Sequence, residues 1–236
     1  MIPPVLLYHK IDTPTPDVKI RGAFTAPMKF ERQMIYLKKH GWTFLQASEL
    51  LRRFLEDGRF PEKHIAVTFD DGWRDNYIHA FPVLTKLEIK ATVFLVPSCV
   101  GKLSDRVTAE GEGPREHLSV DDAREMAGNG IEFGSHGMNH LLMDRIDDST
   151  ARSEMRDSKR AIEELLQRPC TAFAYPAGFF THSVKRFAAE AGYLGAFTTI
   201  YGGDDDLDVF ALNRLEILRR DGRPFHFGKK VRALAR

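Results

Sequence analysis

The chain has 236 residues, 43% of them hydrophobic, enough to bury a full core and within the range of one α/β barrel or one large domain spanning residues 1–236. Its 34 Lys and Arg against 33 Asp and Glu leave a net charge of +1. No excess field therefore draws it to nucleic acid or an anionic membrane surface, and the expected partner is small or neutral. Cys99 and Cys170 stand far apart and outside any CxxC, which excludes a disulfide framework and a thiolate zinc site.

The sequence goes from Met1 through Pro3 and Pro4 directly into Val5-Leu6-Leu7-Tyr8, with neither a basic n-region nor a long apolar h-region. No apolar run approaches the length of a membrane span. As written, the chain reads as cytoplasmic, or as exported if a leader has been removed. Short β-branched or aromatic runs then alternate with segments of helical period, the pattern of βα units around a parallel sheet. Strand Val5–Tyr8 precedes helix Pro27–His40, strand Thr43–Leu45 precedes helix Ala47–Glu56, and strand Ile65–Phe69 precedes helix Asn76–Leu87. Strand Thr92–Val96 leads into the long loop Gly101–His117, of a length often used as a lid or substrate wall, and then into helix Val120–Gly128. Strand Glu132–Ser135 precedes helix Ser149–Gln167, and strand Thr171–Ala174 precedes helix Ser183–Ala191. Strands Leu194–Thr198 and Leu215–Leu218 complete the set. In helix Ser149–Gln167 the positions Ala151, Met155, Ser158, Ile162 and Leu165/Leu166 form one buried stripe, a core face rather than a cofactor box. Gly202-Gly203 reads as a turn, and Arg219–Arg236 as a solvated, locally basic tail without a role.

Seven or eight such units fit a closed or distorted barrel, in which chemistry sits at the C-terminal ends of strands. His9 follows Tyr8, Asp70-Asp71 follow Phe69, His136 follows Ser135, and Tyr175-Pro176-Ala177 follow Ala174, so the polar residues converge on one rim. In Thr68-Phe69-Asp70-Asp71-Gly72 a buried strand delivers two adjacent acids, which is costly unless they are paired, hydrogen-bonded or metal-bound. Successive extended residues point to opposite sides, so one acid can bind a metal while its neighbour does other work. An exposed Asp-Asp-Gly turn explains that motif alone equally well. His136 and His140, spaced i and i+4, share a face if the segment turns helically. With a carboxylate they complete a His2Asp set with open positions, the pattern of a catalytic zinc site.

These segments resemble the polysaccharide deacetylases, carbohydrate esterase family four. The resemblance extends to Lys90-Ala91-Thr92-Val93-Phe94, Phe173-Ala174-Tyr175-Pro176-Ala177-Gly178 and Gly192-Tyr193 leading to Ala196-Phe197-Thr198-Thr199. It implies a distorted (β/α)7 barrel, in agreement with the strand count. It also implies Asp70 as general base, Asp71, His136 and His140 as holders of one divalent ion, and the backbone N–H of Ala177 as a donor to the oxyanion. Zinc is the first expectation for that ion, cobalt or nickel the alternatives.

Two positions depart from the family pattern. Ala174 stands where many members carry an Arg that tethers the base, and Leu212-Asn213-Arg214 ends in Arg where they carry the acid His. Arg214 is therefore a candidate to tether Asp70 or stabilise charge, with a purely structural salt bridge the other reading. The opening Pro4-Val5-Leu6-Leu7-Tyr8-His9-Lys10-Ile11 resembles the poly-N-acetylglucosamine deacetylases of bacterial biofilms, whose motifs are circularly permuted. Phe30-Glu31-Arg32-Gln33 resembles the same subgroup, which implies His9 as general acid, with His182 the second candidate. The expected reaction is metal-dependent removal of N-acetyl groups from an amino-sugar glycan. The alternatives are deacylation of a small or lipid-linked sugar, formyl included, and a non-catalytic carbohydrate-binding module. Trp73, Tyr175 and Phe179 are candidates for stacking on sugar rings.

Overall fold

The computed structural model describes residues 3–16, 18–19, 21–104, 112–199, 207–222 and 224–235. The sequence expectation for Gly202-Gly203 lies outside the described residues.

The strands are β1 (Val5–Tyr8), β2 (Thr43–Leu45), β3 (His64–Phe69), β4 (Ala91–Leu95), β5 (Leu103–Ser104), β6 (Arg115–Glu116), β7 (Ile131–Ser135), β8 (Ala172–Ala174), β9 (Gly195–Phe197) and β10 (Leu215–Glu216). The helices are α1 (Pro27–Lys39), α2 (Ala47–Asp57), α3 (Phe81–Lys86), α4 (Val120–Gly128), α5 (Asp148–Leu166), α6 (His182–Glu190) and α7 (Pro224–Arg232). One parallel sheet runs β10-β1-β3-β4-β7-β8-β9, with Val5 opposite Ala66 and Tyr8 opposite Phe69. A parallel bridge between Phe197 of β9 and Leu212, three residues before β10, links the two ends of the curled sheet. The fold is thus a distorted (β/α)7 barrel. β2, expected as an equal member, instead pairs with the first half of β3 on the edge that β4 takes over at Thr68.

Alternation along the strands sorts the core into two clusters. Leu6, Tyr8, Val67 and Phe69 pack outward against Phe30, Met34 and Leu37 of α1, while Val5, Ala66, Phe94, Ala174 and Phe197 join Leu50 and Leu51 of α2. The Ala47 N–H bonds Thr92 Oγ1 and the Ser48 N–H bonds Glu132 Oε2, which seats α2 beneath the first residues of β4 and β7. That mouth is closed. The open mouth is at the C-terminal ends of the strands.

Two further elements differ from expectation. The segment Asn76–Leu87 begins as a π-helical turn, Asn76–Ala80, before α3. Pro82 explains the switch, because it lacks an N–H and its ring collides with the carbonyl four residues back in a regular α-helix. The tail is not a solvated appendage: Phe227 and Val231 of α7 are buried in the larger core cluster. Lys230 bonds the buried Asp221 at 2.6 Å. No helix of the described residues is long and apolar enough to cross a membrane.

Candidate active site

At the open mouth β3 delivers Asp70, whose N–H donates to the Tyr8 carbonyl at 3.0 Å. The chain then turns through left-handed backbone at Asp71 (φ 73°) and Gly72 (φ 70°). A side chain at Gly72 would meet Leu95 Cδ2 at 2.6 Å, so this corner requires glycine on two counts. Asp71 is a non-glycine in the same region, as are His140 (φ 59°) and Ala177 (φ 55°). Such a conformation costs about 1–2 kcal/mol per residue. Its recurrence at three rim positions shows that the surrounding structure holds them there.

The segment between the two histidines does not turn helically. His136 to His140 is a bend, with Gly137 at φ 76°, and the rings converge at 4.9 Å between centroids. The buried Glu154 of α5 fixes this bend, accepting from the Asn139 N–H at 2.8 Å and from Asn139 Nδ2 at 2.6 Å. The apolar stripe of α5 is buried as read from the sequence, and Glu154 is buried beside it.

Asp71, His136 and His140 each offer one ligand atom, all within 4.8 Å of one another. His140 Nε2 lies 3.2 Å, and His136 Nε2 3.9 Å, from Asp71 Oδ1. Trp73 Nε1 donates to the other oxygen, Oδ2, at 2.9 Å, so Oδ1 is the atom turned to the histidines. His136 Nδ1 lies 2.7 Å from the Ala174 carbonyl, which assigns its proton to Nδ1 and leaves the Nε2 lone pair facing Asp71. Burial pushes the His136 pKa down to about 4, against the pull of Asp70, so the ring is neutral at pH 7 and its Nε2 is available as a donor to a cation. Burial opposes the charge on Asp71, but the His140 hydrogen bond and the nearby imidazoles hold its carboxyl well below the usual range.

Asp70 faces the same space, with Oδ2 3.8 Å from His136 Nε2. Arg214 NH1 and NH2 donate to its two oxygens at 2.7 and 2.6 Å, and the guanidinium is further held by Thr68 Oγ1 and the Thr198 carbonyl. Burial works to protonate Asp70, but the Arg214 charge outweighs it and the pKa is lowered. The Asp70–Arg214 charges cancel, so Asp71 leaves the cluster with surplus negative charge and one oxygen and two nitrogen donors. That set fits a divalent cation.

His9, at the end of β1, is half-buried and close enough for its charge to act on both Asp70 and Asp71. His182 is exposed at the start of α6. Ala177 is exposed on the turn after β8 and followed by Phe179, 49% exposed. Trp73 and Tyr175, by contrast, are buried packing groups, which removes them as sugar platforms. Trp73 stacks on His117 at 4.1 Å, and His117 Nδ1 lies 3.0 Å from the Asp71 carbonyl, so the end of the long loop is built into the site. Lys10 pairs with Glu112, and Arg115 with Asp12 and Asp75, tying the loop to the β1 exit.

The polysaccharide deacetylase family pattern matches residues 57–196, more than half of the chain and inclusive of the Asp70-Asp71 and His136–His140 segments. The chain belongs to the polysaccharide deacetylase family. This family member is 31% identical over 216 residues to YxkH of Bacillus subtilis (strain 168), covering 91% of this chain and 71% of that protein. It is 24% identical over 189 residues to the poly-beta-1,6-N-acetyl-D-glucosamine N-deacetylase of Staphylococcus aureus (strain MRSA252), covering 76% of this chain and 62% of that protein. The structure of the Streptococcus pyogenes deacetylase PplD in complex with acetate superposes with a TM-score of 0.83 at 28% identity, over 97% of each chain.

Sequence reasoning missed His117, Asn76 and Glu154 as parts of the site, and it gave Trp73 a sugar-stacking role where the structure makes it a buried donor to Asp71. Each acts on a neighbour's orientation, and of the three missed residues Asn76 sits nearest to the Asp-Asp motif in sequence.

Proposed function

We propose that this deacetylase hydrolyses N-acetyl groups on amino sugars of a glycan, with Asp71, His136 and His140 holding one zinc ion and Asp70 acting as general base. The observation that carries the reading is the Asp71, His136 and His140 cluster set against the buried, Arg214-paired Asp70. The N-deacetylase named for the Staphylococcus aureus relative and the acetate in the PplD structure support the substrate class. When bound, the ion supplies Lewis acidity to the attacking water and to the acetyl carbonyl.

The remaining steps belong to side chains. Asp70, held ionised by Arg214, takes a proton from the water as its oxygen adds to the acetyl carbon. The Ala177 N–H donates to the developing oxyanion. His9 gives a proton to the nitrogen as the C–N bond breaks, releasing acetate and a free amine. Arg214 keeps the Asp70 carboxylate oriented and does not itself touch substrate. Phe179 offers an exposed ring face to a sugar beside this turn.

The test is acetate release from β-1,6- and β-1,4-linked N-acetylglucosamine oligomers of increasing length, with N-formyl sugars in parallel. Acetate from the longer oligomers, absent after Asp70→Asn, supports the reading. Formate release confined to monosaccharides assigns the small-sugar alternative, and no release from any substrate assigns the binding module.

A further inference from the structure

Asn76 opens the π turn that follows the Asp-Asp-Gly corner, and its side chain is fully buried. Nδ2 donates to the His9 carbonyl at 2.9 Å and to Asp75 Oδ1 at 2.8 Å. Both neighbours are acceptors, so turning the amide over would set oxygen against two oxygens, and the orientation is fixed by chemistry. Oδ1 therefore faces away from them, a buried acceptor with no hydrogen-bond partner among the described residues. His9, the residue whose carbonyl Asn76 holds, carries a ring nitrogen in the same condition: Nδ1 is buried and without a partner among the described residues. An unsatisfied buried acceptor and an unsatisfied buried ring nitrogen, on two residues already joined, are each costly.

We propose that Asn76 is the positioning residue for His9. Nδ2 fixes the His9 backbone, and Oδ1 accepts the Nδ1 proton, directly after a ring rotation or through one bridging water. Nε2 is then the nitrogen presented to the departing amine. This inference rests on the reading of His9 as general acid. An amide at this place fixes the tautomer without adding the negative charge that a carboxylate partner would bring, so it orients the acid without strengthening its hold on the proton. Asp75 completes the grip, since Oδ1 also accepts from the Ile11 N–H at 2.8 Å and Oδ2 from Arg115 at 2.8 Å. The segment His9 to Ile11 is thereby held at both ends.

The experiment is ¹⁵N NMR of the zinc-loaded protein labelled at histidine, above about pH 8 where an unperturbed imidazole is neutral. His9 signals are assigned by their loss in His9→Ala. The expected result is the Nδ1–H tautomer in the parent and a mixed or Nε2–H ring in Asn76→Ala. In kinetics, Asn76→Ala should lower N-acetyl amide turnover by about 10- to 100-fold, spare an aryl acetate, and add nothing to His9→Ala. An Nε2–H tautomer in the parent overturns the proposal without any variant. So does an Asn76→Ala loss that is as large in the His9→Ala background as in the parent. If His9→Ala loses amide and ester hydrolysis equally, the acid reading itself has failed and the inference goes with it. An amide-selective loss in His9→Ala with an unchanged tautomer in Asn76→Ala removes only the role of Asn76.

Discussion

Arg214 grips Asp70 through two parallel hydrogen bonds, at 2.7 and 2.6 Å, across 144 residues of sequence and with both side chains buried. A buried charge stripped of its partner is strongly destabilising, and the Asp70 pKa is depressed because Arg214 is there. The depressed acid contributes stability that is present above the unfolded value and lost as pH falls through the folded one. Arg214→Met should therefore destabilise the protein by about 3–5 kcal/mol and move the acid limb of the kcat/KM profile to higher pH. Denaturant unfolding and a pH–rate profile check this, and an unmoved limb would mean that Arg214 does not keep Asp70 ionised.

Asp70→Asn keeps a group that can accept from Arg214 but cannot take a proton from water. Turnover should fall by about 10²–10⁴-fold, while metal content and substrate affinity stay near the parent's. Loss of metal instead would exchange the roles of Asp70 and Asp71, and near-normal turnover would place the base elsewhere.

The rim was legible because buried strands ending in His or Asp are costly without a reason, and the alternation of strands and helices located those ends. Arg214 was legible as a candidate tether for Asp70 from its place in the family pattern, whereas the residues Leu212-Asn213-Arg214 by themselves do not distinguish that pairing from any other salt bridge. Glu154 was hidden in the charged pattern of α5: an apolar stripe reading assigns a glutamate to solvent, whereas the Asn139 amide brings it inside. α7 was missed because its core anchors among the described residues, Phe227 and Val231, are separated by Gly228 and two lysines and leave little apolar periodicity to read. The π turn was missed because periodicity does not register one extra residue ahead of Pro82.

His9→Ala tests proton delivery. An amide needs a protonated leaving group, and the phenolate of an aryl acetate does not. Hydrolysis of an N-acetyl amino sugar should fall by about 10²–10⁴-fold, aryl acetate hydrolysis far less, with metal content unchanged. Equal losses would assign His9 to structure or metal and turn attention to His182.

Asp75 gives a pH signature separate from catalysis. Burial pushes its pKa from 3.8 up to about 6, against the opposing charge of Arg115. For an acid raised on folding, the stabilisation is complete below the unfolded pKa and is lost as pH rises through the folded one. Asp75→Asn lacks this titration. The stability difference between parent and variant should shift by about 2–3 kcal/mol in favour of the variant between pH 4 and pH 7. Urea unfolding at the two pH values measures it, and a difference independent of pH would show that Asp75 ionises normally.

Metal dependence is the central claim, and titration of the chelated protein tests it most directly. Acetate release from an N-acetylglucosamine oligomer is followed as zinc is added back. Activity should be absent after chelation and rise linearly to a plateau at about one equivalent per chain, as three protein ligands around a single catalytic ion require. His136→Ala and His140→Ala should show no such rise. Full acetate release by the chelated protein, or by either histidine variant without metal, would contradict the account.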